Sequence, residues 1–252
     1  MDTFRELLSL WEERGYCELR ETDSPFCWAN EIGDILLYDY PLIEMLPKEW
    51  KHGLFSNQQA VCDKCQSWIF WSRHPRMLET KIAEGIRSFK EREHESIFLG
   101  KIENETQKNN RQTHDWSTAI TFFSMPILMG NTTTYPYTQE EYLDYVSKSK
   151  FGLCLPGYGP KCNREIEYLG LGTVPIYTDG CDNTFHNQLE EGVHYLTAKT
   201  PDELKETVRN VTKEEWEVLS QNCVKWYNEN ASPKGSFEVT KDLVINYERK
   251  YI

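Results

Sequence analysis

Residues 150–178 limit the possible folds more than any other stretch of the chain. They read as strand, tight loop, short helix and strand. Residues 151–155 (Phe-Gly-Leu-Cys-Leu) are a short apolar run of the kind buried on both faces of a parallel sheet. Pro156, Gly157, Gly159 and Pro160 end that run and force a turn. Asn163 is expected to cap a helix over 164–171, since its side chain can accept a free N–H of the first turn. Gly172 is expected to stop the helix, and residues 173–178 supply the next buried strand. A βαβ unit carries its loop and helix N-terminus to the carboxyl edge of the sheet, where α/β folds bind ligands.

Charge turns this fold reading into a functional one. The chain is acidic, with a formal net charge of -12, yet between Lys148 and Arg164 there is no Asp or Glu and there are four basic residues, Lys148, Lys150, Lys161 and Arg164. A basic segment that ends at a helix N-terminus suits a phosphate or diphosphate, because free N–H groups, the helix dipole and a guanidinium converge on one anion. Glu167 lies three residues after Arg164, on the same helix face. A carboxylate there can accept hydrogen bonds from ribose hydroxyls. Arg164 and Glu167 together describe a nucleotide-sugar site. A plainer reading stays open beside it: Glu165 and Glu167 favour the positive end of a helix, and Arg164 is a solvated surface residue.

The stretch also carries a resemblance. Ser149-Lys-Phe-Gly-Leu-Cys-Leu-Pro, then Arg164-x-x-Glu167, then Gly172-x-Val174-Pro175-Ile176 resembles, in order and spacing over about thirty residues, the signature of the exostosin-like glycosyltransferases. The resemblance implies an α/β fold of GT-B type, two Rossmann-like domains facing a cleft, with inverting sugar transfer from a nucleotide sugar. It implies Arg164 on the diphosphate and Glu167 on the ribose. Small, unanchored members of that family occur in large algal viruses and transfer xylose, which makes UDP-xylose the donor expected by resemblance. Two departures stand out. Glu165 is a second acid that can compete for the ribose role, and the N-terminal portion is short for the family, so acceptor and catalytic residues do not carry over.

The organisation expected is an N-terminal acceptor-side α/β domain over 1–94, a nucleotide-sugar-binding domain over 95–232, and a terminal helix over 233–252 that packs back on the first. An amphipathic helix is expected over 2–15, with Phe4, Leu7, Leu8 and Trp11 on one face. Strands are expected over 32–38, 53–59 and 67–72, and a helix over 77–95. A strand over 96–102 opens the second domain, followed by a polar loop over 103–115. Thr138 and Glu141 form a capping box, and Thr212 with Glu215 another; Thr200-Pro201-Asp202-Glu203 is also a helix start. The loop 179–187 is long and polar, and such loops often carry function.

The expected site therefore comprises Arg164, Glu167, Lys161 and the loop residues Gly157 and Tyr158, with Lys101 near the end of strand 96–102 and Arg111 in the loop after it as further phosphate contacts. Asp39 and then His74, both at expected strand ends, are the candidate general bases; a turn-capping Asp and a structural His are the alternatives. No Asp-x-Asp motif is present, so no metal cofactor is expected and helix N–H groups with basic side chains take its place. Cys62-Asp-Lys-Cys65 lacks a second metal-binding pair.

The partners expected are a UDP-sugar and a glycan acceptor. The acidic balance argues against nucleic acid. No apolar run of transmembrane length occurs, so no membrane segment is expected. Placement in the cytoplasm, of the host for a viral protein, is the expectation, with the Golgi lumen if an anchor precedes this sequence. A non-catalytic nucleotide- or glycan-binding module is the alternative function.

Overall fold

The computed structural model describes residues 3–17, 29–32, 35–38, 52–55, 65–130 and 134–251. At its centre are β7 (Ser149–Cys154), α5 (Asn163–Leu171) and β8 (Val174–Tyr177), the strand–helix–strand unit expected from residues 150–178. Gly172 follows α5 with a φ of 66°, a left-handed conformation in which a Cβ would be strained, and so ends the helix.

β7 and β8 belong to a five-stranded sheet with β5 (His94–Leu99), β6 (Phe122–Ser124) and β9 (Leu196–Thr197), in the order β6-β5-β7-β8-β9. Every neighbouring pair is parallel. In chain order within the sheet this is 2-1-3-4-5, a doubly wound arrangement whose strand order reverses between β5 and β7. The chain is thus α/β. Both faces of the sheet are covered, so the central strands are apolar on both sides. One face sets Ile97, Leu99, Cys154 and Tyr177 against α4 (Gln139–Ser147), α5 and α7 (Lys213–Asn230). The other sets Phe98, Phe151, Leu153, Val174 and Ile176 against Trp116, Ile120, Leu204 of α6 (Pro201–Asn210), and Trp216.

The N-terminal portion differs in detail from the sequence expectation. The strand expected over 32–38 is two antiparallel strands, β1 (Ala29–Ile32) and β2 (Ile35–Tyr38). β3 (His52–Phe55) and β4 (Cys65–Ser67) add parallel strands to them. The aromatic run 68–72 is buried but not a strand, because its backbone carbonyls serve other partners: Trp68 O accepts from His186 N–H and Trp71 O from Asn163 Nδ2. The helix expected over 77–95 is α2 (Pro75–Ala83), ended just before Gly85 at φ 103°, then a short 3₁₀ turn (Phe89–Glu91). The loop expected over 103–115 holds a helix, α3 (Glu105–Arg111), capped by the Asn104 side chain.

Phe4, Leu7 and Trp11 of α1 (Thr3–Glu13) meet Leu54, Trp68, Ile69 and Trp71 in a separate core that also takes in Val239 and Leu243 of α8 (Pro233–Tyr251). Two buried indoles fix this contact: Trp11 Nε1 donates to Ser236 Oγ at 3.2 Å and Trp68 Nε1 to Thr240 Oγ1 at 2.9 Å. Among the described residues no helix is long and apolar enough to cross a membrane.

Candidate functional site

The site grows from the turn between β7 and α5. Cys162, not Asn163, occupies the helix cap, and Glu165 accepts its backbone N–H through Oε2 in a capping box. Asn163 is the first helical residue, and its amide donates to Trp71 O at 2.8 Å, so a contact from outside the helix has taken the expected cap.

Two arginines from different helices reach the point where the strand order reverses. Arg111 ends α3 and is buried. Its Nε donates to Pro156 O, beyond β7, at 3.1 Å, and its Nη1 donates to Lys101 O, beyond β5. It therefore spans the carboxyl ends of the two strands and shapes the loops that follow them. Arg164 comes from the first turn of α5, is 8 % exposed, and lies over the Phe98 ring of β5 at 4.4 Å. Its Nε and Nη1 have no hydrogen-bond partner among the described residues. The two guanidiniums are close enough that Arg164, after burial itself, holds the Arg111 pKa below its ordinary value. Backbone without side chains approaches both: a Cβ on Gly100 would lie 3.0 Å from Arg164 Nη2, and one on Gly157 would lie 3.1 Å from Arg111 Nη2 and 2.8 Å from Cys162 Sγ. Asn110 Nδ2 holds Gly157 O at 2.9 Å.

The remaining expected residues are placed more variously. Lys161 is buried and turns to the 179–187 loop, where its Nζ donates to Thr184 O and lies 4.8 Å over the Phe185 ring. Burial lowers its pKa to about 8 against the pull of Asp182 and Glu165. Tyr158 is 60 % exposed at the loop tip. Lys101 pairs with Glu103 at 2.7 Å, so its ammonium already has a carboxylate partner.

Glu167 is buried and its Oε1 accepts from Arg73 N–H at 3.0 Å and from Gln139 Nε2 at 3.3 Å. The Tyr142 hydroxyl lies beside the same carboxylate but without hydrogen-bond geometry. Glu167 thus binds α5 to the segment after residue 71, a role the sequence reading did not assign it. Burial raises its pKa in spite of those donors.

His74 precedes α2, and its Nδ1 stands 3.2 Å from Glu6 Oε2 of α1. Glu6 also accepts Arg76 N–H at the start of α2. Asp39 and Cys62 lie outside the described residues. Among the described residues no group of three or more His, Cys, Asp or Glu is arranged to hold a metal.

Sequence reasoning missed three members of this neighbourhood. Glu6 gave no local signal, being 68 residues from His74. Asn110 was hidden with α3, although Asn104-x-x-Gln107 is a capping signature. Glu165 reads in the sequence as a rival for ribose or as an acid favoured at the helix N-terminus, and its capping-box role at Cys162 agrees with the second reading, but nothing there foretells its burial. It is 2 % exposed, its Oε1 is buried without a partner among the described residues, and burial raises its pKa to about 7 against the opposing field of Arg164.

Two guanidiniums at the reversal point stand beside two buried carboxyls, Glu165 and Glu167, both of which burial inclines to the neutral form, so protonation of either leaves a local excess of positive charge shielded from water. Such a locus favours an anion with several oxygens. Compared with protein-family models and with curated proteins, the chain matches none.

Proposed function

We propose that the chain is an inverting glycosyltransferase of GT-B type that moves a sugar from a UDP-sugar, UDP-xylose by preference, to a glycan hydroxyl. The single observation that supports this most is Arg164: buried at the carboxyl edge between β5 and β7, with two N–H groups unpartnered among the described residues. That edge is where doubly wound sheets bind nucleotides. In this reading the sheet with β5–β9 is the donor domain, and the layer built from α1 and β1–β4 faces it as the acceptor side.

The donor diphosphate sits against Arg164 and the first turn of α5, with Arg111 behind the loop. An acceptor hydroxyl attacks the anomeric carbon, the bond from that carbon to the β-phosphate oxygen breaks, and UDP leaves. Arg164 and the helix N–H groups carry the charge that develops on the leaving oxygen. The acceptor proton passes to a base. Among the described residues His74 is the candidate, since Glu6 engages Nδ1 and would orient the ring with Nε2 as its second nitrogen. Asp39 is the other candidate. A binding module without turnover is the second reading, favoured by the commitment of Glu167 to Arg73 and Gln139.

Calorimetric titration with UDP, UMP and uridine tests the site. UDP should bind at least about tenfold more tightly than UMP, one further charge-assisted contact being worth roughly 1.5–3 kcal/mol. Equal affinity for UDP and uridine would refute the diphosphate assignment. Turnover of UDP-xylose with glycan acceptors, lost in His74→Ala or Asp39→Asn while UDP still binds, selects the enzyme; UDP binding without turnover in the wild type selects the module.

A further inference from the structure

The first turn of α5 holds two neighbouring ionisable side chains that are both buried and do not satisfy each other. Arg164 has Nε and Nη1 unpartnered among the described residues, and Glu165 has Oε1 unpartnered, although the two are adjacent in sequence. Adjacent positions of a helix turn their side chains apart, so the two cannot close a bidentate pair with each other and each needs a partner from elsewhere. Here Glu165 directs Oε2 to the helix cap at Cys162 and leaves Oε1 buried without a partner among the described residues, close enough to Arg164 for the guanidinium charge to act on it. We propose that anion binding at this site is coupled to uptake of one proton by Glu165, which must be neutral for the site to hold a polyanion. This rests on the anion site proposed above and adds its regulation.

The groups that face Glu165 permit this. Arg164 from its own helix and Arg111 from α3 are positive throughout. Lys161, from the preceding loop, is the other group that titrates near neutrality, losing its charge at about 8. Cys154 of β7, Cys162 of the cap, Cys181 beyond β8, Tyr168 of α5 and Tyr177 of β8 all lie near it, and burial raises each of them, so they stay neutral. With Glu165 ionised, an entering phosphate meets a buried negative charge. With Glu165 protonated, its Oε1 becomes a possible donor to a phosphate oxygen.

The test uses ligands whose own charge is constant between pH 6 and 8: UDP-glucose, a diphosphodiester, and sulfate. For the wild type, affinity for both should fall as pH rises past 7, approaching about tenfold per unit for one coupled proton. Glu165→Gln, which keeps the cap acceptor and cannot ionise, should bind with nearly constant affinity up to pH 7.5 and decline only as Lys161 loses its proton. Heats measured in MOPS and in Tris buffers, whose ionisation enthalpies differ, should show proton uptake in the wild type and none in the variant. Wild-type affinity for either ligand that is flat across this range, or an unchanged slope in Glu165→Gln, overturns the coupling and leaves the anion site standing. Sulfate binding with the expected slope, but no binding of UDP-glucose, supports the coupling and removes the nucleotide reading. No binding of either ligand overturns both.

Discussion

Gly152→Ala gives the sharpest test of how the central strand is packed. Gly152 lies in β7 between Ile97 of β5 and Pro175 of β8. A Cβ built there would lie 2.3, 2.5 and 2.6 Å from three carbons of the Tyr168 ring. Ordinary carbon contacts are about 3.5–4.0 Å, so the ring must retreat by about 1 Å or the strand must bow. Tyr168 is 0 % exposed, and its hydroxyl already makes long contacts to Ile97 O at 3.5 Å and Leu153 O at 3.4 Å, so it has little room to retreat. Overpacking of a rigid core typically costs about 1–3 kcal/mol, and this geometry belongs in the upper half of that range. For a chain of this size about 2–4 °C are lost per kcal/mol, which makes a fall in Tm of about 5–10 °C. Differential scanning calorimetry of Gly152→Ala, Tyr168→Leu and the double variant reads it out. The two changes should compensate, with a coupling of at least about 1 kcal/mol. A Tm within 1 °C of wild type for Gly152→Ala, or additive single effects, would refute the packing argument.

Three further outcomes follow from the same geometry. Thr240→Val leaves the buried Trp68 indole N–H without its acceptor and should cost about 1–3 kcal/mol in urea unfolding, whereas Thr240→Ser should cost less than half of that. Arg164→Met removes a buried charge with unpartnered N–H groups; it should leave the ligand-free Tm unchanged or higher while abolishing UDP binding, and a large loss of stability would mark Arg164 as structural. Glu165, free of ligand, binds its proton more tightly folded than unfolded, since its folded pKa is about 7 against an ordinary 4.5. The stability it permits is therefore full at acid pH and lost as pH rises from about 4.5 to 7, amounting on its own to at most about 3 kcal/mol. The difference in unfolding free energy between wild type and Glu165→Gln, followed from pH 4 to 8, should drift by that amount, and a constant difference would refute the shift.

Much of the second half of the chain was legible because its signals are local. The apolar runs at 151–155 and 173–178, the stop at Gly172 and the caps at Thr138, Thr200 and Thr212 all appear where the residues announce them. What failed depends on partners distant in sequence. Asn163 has the chemistry of a cap but gives its amide to Trp71 O, so Cys162 caps instead. α3 has no apolar periodicity to betray it: its one buried residue is Arg111, and that burial comes from carbonyls beyond β5 and β7. The helix expected to run to residue 95 ends before Gly85, whose positive φ outweighs the pattern of Ile82, Ile86 and Phe89. The residue types of the site were readable, but their depth was not. A basic residue in a sequence says nothing of whether it is solvated, and Arg111, Lys161 and Arg164 all lie under the surface.

The indole contacts that tie α1 and the 68–72 run to α8 join residues 225 and 172 positions apart. During synthesis α1 and the 68–72 run therefore leave the ribosome long before the α8 surface that packs on Trp11 and Trp68 exists. Those two indoles lack their partners until α8 has been made, and long-range closure of this kind is slow and prone to aggregation. The apolar face of α1 is thus one whose cover comes from late in the chain, so its docking closes the fold and does not begin it.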